Sequence, residues 1–121
     1  MVSILVKLTA AYAILMVCMT VFQRKLMYHP VYHISTPDRF GLADVQDLRI
    51  QSEDGTSLQL WYKEATGDMP TVIYFHGNAG NVADRWPIMK ALSDKGMGVA
   101  MVNYRGYGKS AGRPYEEGIY D

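Results

Sequence analysis

The chain has 121 residues, with Lys+Arg and Asp+Glu equal at 12 each, so its formal net charge is zero. That balance, with no basic cluster along the chain, removes the field that nucleic-acid binding needs. The one cysteine, Cys18, excludes an intramolecular disulfide and a cysteine-built zinc site. Single α/β domains commonly run to about 200–250 residues, so a complete sheet of that class needs roughly twice this length.

The first segment is apolar. From Val2 to Phe22 the only charge is Lys7, and Leu8–Phe22 is uninterrupted. A helix crossing a bilayer needs about 20 such residues. Val2–Phe22 meets this when Lys7 lies near the head groups and snorkels. Gln23, Arg24 and Lys25 end the span. No small-x-small pair follows, so residues 1–25 read as an uncleaved transmembrane anchor rather than a cleaved signal peptide. Cys18 then reads as a buried or lipid-facing thiol. Lys7 and the amino terminus flank one side, Arg24 and Lys25 the other. The positive-inside rule thus leans only slightly toward a cytoplasmic C-terminal side and leaves the orientation open.

Residues 26–44 read as a linker. Tyr28–Gly41 contains Pro30, Pro37, His29 and His33 and shows no period. The two histidines have a ligand spacing only if helical. Pro30 opposes a helix there, and no third ligand lies nearby. They read as solvent-facing, and neither a metal nor another cofactor is expected.

Residues 45–121 carry strand and helix patterns. Leu48 and Ile50 alternate with polar residues, as do Leu58, Leu60 and Tyr62. Asp54-Gly55 between them signals a hairpin. Its apolar positions predict one buried and one wet face. Thr71–Phe75 and Gly98–Val102 are continuous apolar runs, which suit strands buried on both faces. Between them Val82, Trp86, Met89 and Leu92 recur at helical spacing. Asp84 is the expected N-cap, Pro87 falls in the first turn, and Gly96 follows the C-terminus. Strand–helix–strand implies a βαβ unit. Gly112–Asp121 reads as a loop entering another helix.

Three features bear on chemistry. His76-Gly77-Asn78-Ala79-Gly80-Asn81 follows an apolar strand directly. Its glycines let the backbone turn tightly and approach a ligand, and a free N–H there can stabilise an oxyanion. An ordinary βα turn favours the same residue types, so the residues alone leave both readings open. Gly108-Lys109-Ser110 invites a phosphate-loop reading. The required first glycine is replaced by Asn103, so the cradle lacks its first turn. Gly108-Lys109-Ser110-Ala111-Gly112 also matches a nucleophile elbow. However, Ser110 lies several residues beyond the strand end, and His29, His33 and His76 all precede it, against the chain order of such triads. Ser110 is therefore read as a loop residue.

Phe22–Pro30, the Asp54-Gly55 hairpin, Tyr74–Asn81, Asn103–Gly112 and Pro114–Tyr120 resemble, in this order, the Bem-type, membrane-anchored branch of the α/β-hydrolase superfamily. The resemblance covers nearly the whole chain. It implies the N-terminal part of an α/β-hydrolase sheet, a hairpin then a βαβ unit, behind one transmembrane helix. It also implies a Ser–Asp–His serine hydrolase acting on ester, thioester or amide bonds of small acyl or peptide-like substrates. On this resemblance the N–H of Asn78 is one oxyanion donor, and His76 and Gly77 shape its turn. In the family the nucleophile, acid and catalytic histidine lie beyond the block ending at Asp121, and none is identifiable here. The expectation is an N-terminal fragment that is inactive alone. The alternative is a short non-catalytic membrane interaction protein derived from a hydrolase. With about 80 residues after the linker, a single core barely holds, and one face and one edge of the sheet are expected to be bare.

Overall fold

The computed structural model describes residues 2–120. Helix α1 spans Val2–Met27 and runs straight through Gln23-Arg24-Lys25. It is long and apolar enough to cross a membrane, and none of its apolar window is covered by protein. Strand β1 is His29–Pro30, followed by a 3₁₀ turn at Pro37–Phe40. Strands β2 (Gln46–Gln51) and β3 (Ser57–Lys63) form the hairpin. Then come β4 (Thr71–Phe75), β5 (Ala79–Gly80), a 3₁₀ turn at Val82–Arg85, α2 (Trp86–Ser93), β6 (Gly98–Val102) and α3 (Glu117–Tyr120).

The main sheet has the order β2-β3-β6-β4. β2 pairs antiparallel with β3 and β3 with β6, whereas β4 and β6 are parallel. This is the expected hairpin followed by a strand–helix–strand unit. The parallel pair puts the carboxyl ends of β4 and β6 side by side, and the loops that leave them meet. A second, two-residue ladder joins β1 to β5.

The core lies on one face of the sheet. Trp61, Val99 and Met101 point there and meet Val82 and Met89. Trp86 and Leu92 pack beside them, so the helical spacing read from Val82 to Leu92 faces the sheet. Residues 28–44 are not a free linker. Ile34, Leu42 and Val45 are buried in this core, and Phe40 stacks on Trp86 at 5.6 Å between ring centroids.

Three local expectations change. The hairpin buries Gln59 and Trp61 most deeply, while Leu48 and Ile50 are exposed. The apolar alternation marks the opposite face, because Gln59 is retained inside by hydrogen bonds: Nε2 donates to Asp47 and Oε1 accepts from Asn103 and Lys109. Second, β4 is covered on one face only, with Ile73 63% and Phe75 59% exposed. Third, Asp84 is not the N-cap. Asn81 is, its Oδ1 accepting from the Ala83 N–H, while Asp84 at the third position accepts from the Asn81 N–H. The reciprocal pair is a capping box, which starts the turn at Val82 rather than after Asp84.

Candidate active site

The turn His76–Asn81 begins where β4 ends. His76 is buried at its base. Its Nδ1 lies 2.7 Å from the Gly77 carbonyl oxygen. A carbonyl only accepts, so Nδ1 carries the proton and donates. Tyr104 meets the imidazole edge-on at 4.8 Å, and Tyr107 lies at 5.0 Å. Burial among these rings pushes the His76 pKa below the usual imidazole range, with the Gly77 carbonyl acting in the opposite sense. The side chain is thus a neutral wedge that sets the turn. Burial also raises the phenol pKa values of Tyr104 and Tyr107, so both stay protonated.

Gly77 and Asn78 are exposed. A Cβ built on Gly77 would meet nothing within 4 Å, and its φ is not positive. Neither packing nor backbone conformation within the described residues demands glycine there. What the glycine does is leave space beside the backbone, as a turn approached closely by a ligand requires. Gly80 differs: its φ is +82° and a Cβ would collide with the Asp84 carboxylate. Gly80 is therefore fixed by the fold itself.

Asn78 is held from three directions. Its carbonyl accepts from the His29 N–H at 2.9 Å and from the Tyr107 hydroxyl at 2.7 Å. Its side-chain amide donates to the Met27 carbonyl at 2.9 Å. Met27 is the last residue of α1, where carbonyls lack helical partners, and the amide satisfies one of them. Among the described residues the Asn78 N–H has no acceptor. Tyr28, His76, Gly77, Tyr104, Tyr107 and Ile119 surround this turn in an open, mostly apolar cavity of about 190 Å³.

The loop after β6 serves as scaffold. Ser110 Oγ accepts from the Gln59 N–H at 2.8 Å and donates to the Asn103 carbonyl at 2.7 Å. The hydroxyl proton is thereby committed to a carbonyl oxygen and one of its lone pairs to an amide. Asn103 donates to Gln59 and accepts from the Val82 N–H. Arg105 pairs with Asp54 at 2.8 Å and donates to the Tyr115 hydroxyl, tying the hairpin turn to the loop after β6. No group of three or more His, Cys, Asp or Glu side chains suited to a metal occurs among the described residues, and His29 and His33 are both exposed.

Sequence reasoning did not find Tyr107, Asn81 or the Met27 contact. The Asn81–Asp84 spacing of three was the available signal for the cap. The Tyr107 hydroxyl and the end of α1 reach the turn only through the fold, and no local pattern marks them.

Comparison with known proteins agrees with this architecture. A family model described as the alpha/beta hydrolase fold matches residues 70–121. The alpha/beta hydrolase domain-containing protein WAV2 of Arabidopsis thaliana is 40% identical over 110 residues, covering 81% of this chain and 34% of that protein. Protein bem46 of Schizosaccharomyces pombe is 32% identical over 108 residues, covering 81% of this chain and 36% of that protein. Over most of its length the chain is similar to the Bem-type branch of the α/β-hydrolase family. An esterase of Pyrococcus furiosus superposes with a TM-score of 0.58 at 22% identity, covering 75% of this chain and 35% of that one; this supports the fold. The chain spans about a third of the length of these curated relatives.

Proposed function

We propose that this chain supplies the membrane anchor and one oxyanion donor of a serine hydrolase that cleaves ester, thioester or amide bonds of small acyl or peptide-like substrates. The observation that carries the reading is the Asn78 N–H. It stands unengaged on an exposed turn while the other atoms around it are held by α1, β1 and Tyr107. Fixed donors of this kind stabilise the charge that develops on a carbonyl oxygen as a nucleophile adds. Their value lies in being oriented before the reaction, which the three anchoring contacts provide.

Donation to an oxyanion is half of the chemistry. Acyl transfer by this family needs a serine activated by a histidine that an acid orients. His76 does not fit the histidine role, since it is buried and its Nδ1 is bonded to its own turn. Ser110 does not fit the serine role, since its hydroxyl is doubly engaged. The second oxyanion N–H follows the nucleophile in this fold. The 121 residues by themselves are therefore proposed to be inactive, and α1 to hold the turn at a bilayer surface.

The test is a serine-directed fluorophosphonate probe applied to the chain in membranes. Neither wild type nor Ser110→Ala should label. Labelling of wild type that Ser110→Ala abolishes would establish Ser110 as a nucleophile and overturn this reading. Sequencing the transcript past the Asp121 codon is the companion test. A Gly-x-Ser-x-Gly strand turn followed by Asp and His supports the hydrolase, whereas a clean stop favours a non-catalytic interaction protein.

A further inference from the structure

Three basic side chains line one cavity at the end of α1, one of them from a distant part of the sequence. Arg24 and Lys25 lie in its last turn. Arg113 arrives from the loop after β6. With Tyr28, Tyr32 and Pro114 they line an open cavity of about 410 Å³. No carboxylate lines it. Glu116 and Glu117 border an adjoining cavity with Gln23 and Met27, which shares Arg24 and Tyr28 with this one. Among the described residues, none of the three cations forms an ion pair; Arg24 lies over the Tyr115 ring at 5.9 Å. Three like charges around one cavity repel unless an anion sits between them.

We propose that this cavity binds the phosphate of an anionic phospholipid headgroup, with the lipid tails lying along α1. The inference rests on α1 spanning the bilayer. At 1.5 Å per residue its 26 residues run to roughly 39 Å, against a hydrocarbon core of about 30 Å. The last turn therefore stands in the headgroup layer, where Tyr28 and Tyr32 are the expected interfacial residue type. Arginine forks match phosphate oxygens bidentately, and two of the three cations are arginines. A soluble phosphate has the same recognition chemistry. The lipid is the committed source because Arg24 and Lys25 are fixed at headgroup height by the helix that carries them.

The experiment uses the full chain reconstituted in nanodiscs holding equal amounts of phosphatidylglycerol and phosphatidylcholine. Retained lipid is counted by native mass spectrometry after gentle extraction. Phosphatidylglycerol should be enriched on the wild type. Arg113→Gln should lower its retention about fivefold, the effect of one basic side chain at an anionic surface. Arg113→Lys should restore part of it, and Lys95→Gln, on an exposed cation after α2, should change nothing. An unchanged melting temperature separates lost binding from lost folding. Full retention by a folded Arg113→Gln would overturn the proposal, leaving only diffuse attraction to Arg24 and Lys25. Displacement of the lipid by millimolar inorganic phosphate would also overturn it, in favour of a soluble ligand. Release of the chain from membranes by alkaline carbonate would instead strike the anchored reading itself.

Discussion

Asn78 commits its carbonyl and side-chain amide to structure and leaves its N–H unengaged among the described residues, and the commitment can be tested. Tyr107→Phe removes the hydroxyl that donates to the Asn78 carbonyl at 2.7 Å and nothing else. The loss should be about 1 kcal/mol, the net worth of one hydrogen bond, read as a shift in denaturant midpoint in detergent. Amide exchange at Asn78 should also quicken. His76 makes stability depend on pH in a stated direction. Its pKa is lowered in the folded chain by burial, so between that value and the unfolded one, about 6.5, the unfolded chain binds a proton that the folded chain refuses. The stabilisation is therefore full above about pH 6.5 and falls as the pH drops below it. Melting temperature should decline between about pH 7 and pH 5 in the wild type, and His76→Asn should flatten that decline. At this scale the resemblance singled out the turn His76-Gly77-Asn78, which the fold places at the end of β4. Tyr107 stayed hidden because its hydroxyl crosses from one loop to another, 29 residues away in sequence.

Among the elements, the short turn at Val82–Arg85 illustrates how one residue joins distant segments. Asn81 caps it through Oδ1, and its Nδ2 donates to the carbonyls of Val31 and His33. Asn81→Ala removes a cap worth about 1 kcal/mol and takes one donor each from the Val31 and His33 carbonyls. A total loss of about 2 kcal/mol is expected, measurable by thermal melting, with β1 detaching first in hydrogen exchange. The apolar runs and helical spacing were enough to place β4, α2 and β6, although β4 is covered on one face only and its run overstated the burial. The hairpin was legible too, through Asp54-Gly55. Which face it buries was not, since Gln59 is polar and only its partners Asp47, Asn103 and Lys109 explain its place inside. The segment after α1 looked irregular because a two-residue ladder leaves no period in sequence, yet it carries Ile34 and Leu42 into the core.

For the whole molecule, the dominant feature is a sheet covered on one side. Ile73 and Phe75 stand on the uncovered face of β4 at the sheet edge. Exposed apolar edges template association between chains, so the chain should bind an apolar dye and self-associate in detergent. Ile73→Lys should reduce both, measured by dye fluorescence and sedimentation, with little change in melting temperature, because the side chain is already in solvent. Helix α1 is tied directly to the turn: Met27 and Asn78, 51 residues apart, share one hydrogen bond. On the proposed function, and with α1 in a bilayer, such a tether would hold the reacting carbonyl near one height. A soluble ester would have to descend to the lipid surface to be met, whereas a molecule already embedded there arrives by lateral diffusion alone. Under the proposed function the contact would work as a depth gauge, choosing among substrates by where in the membrane their bond lies before any pocket has touched them.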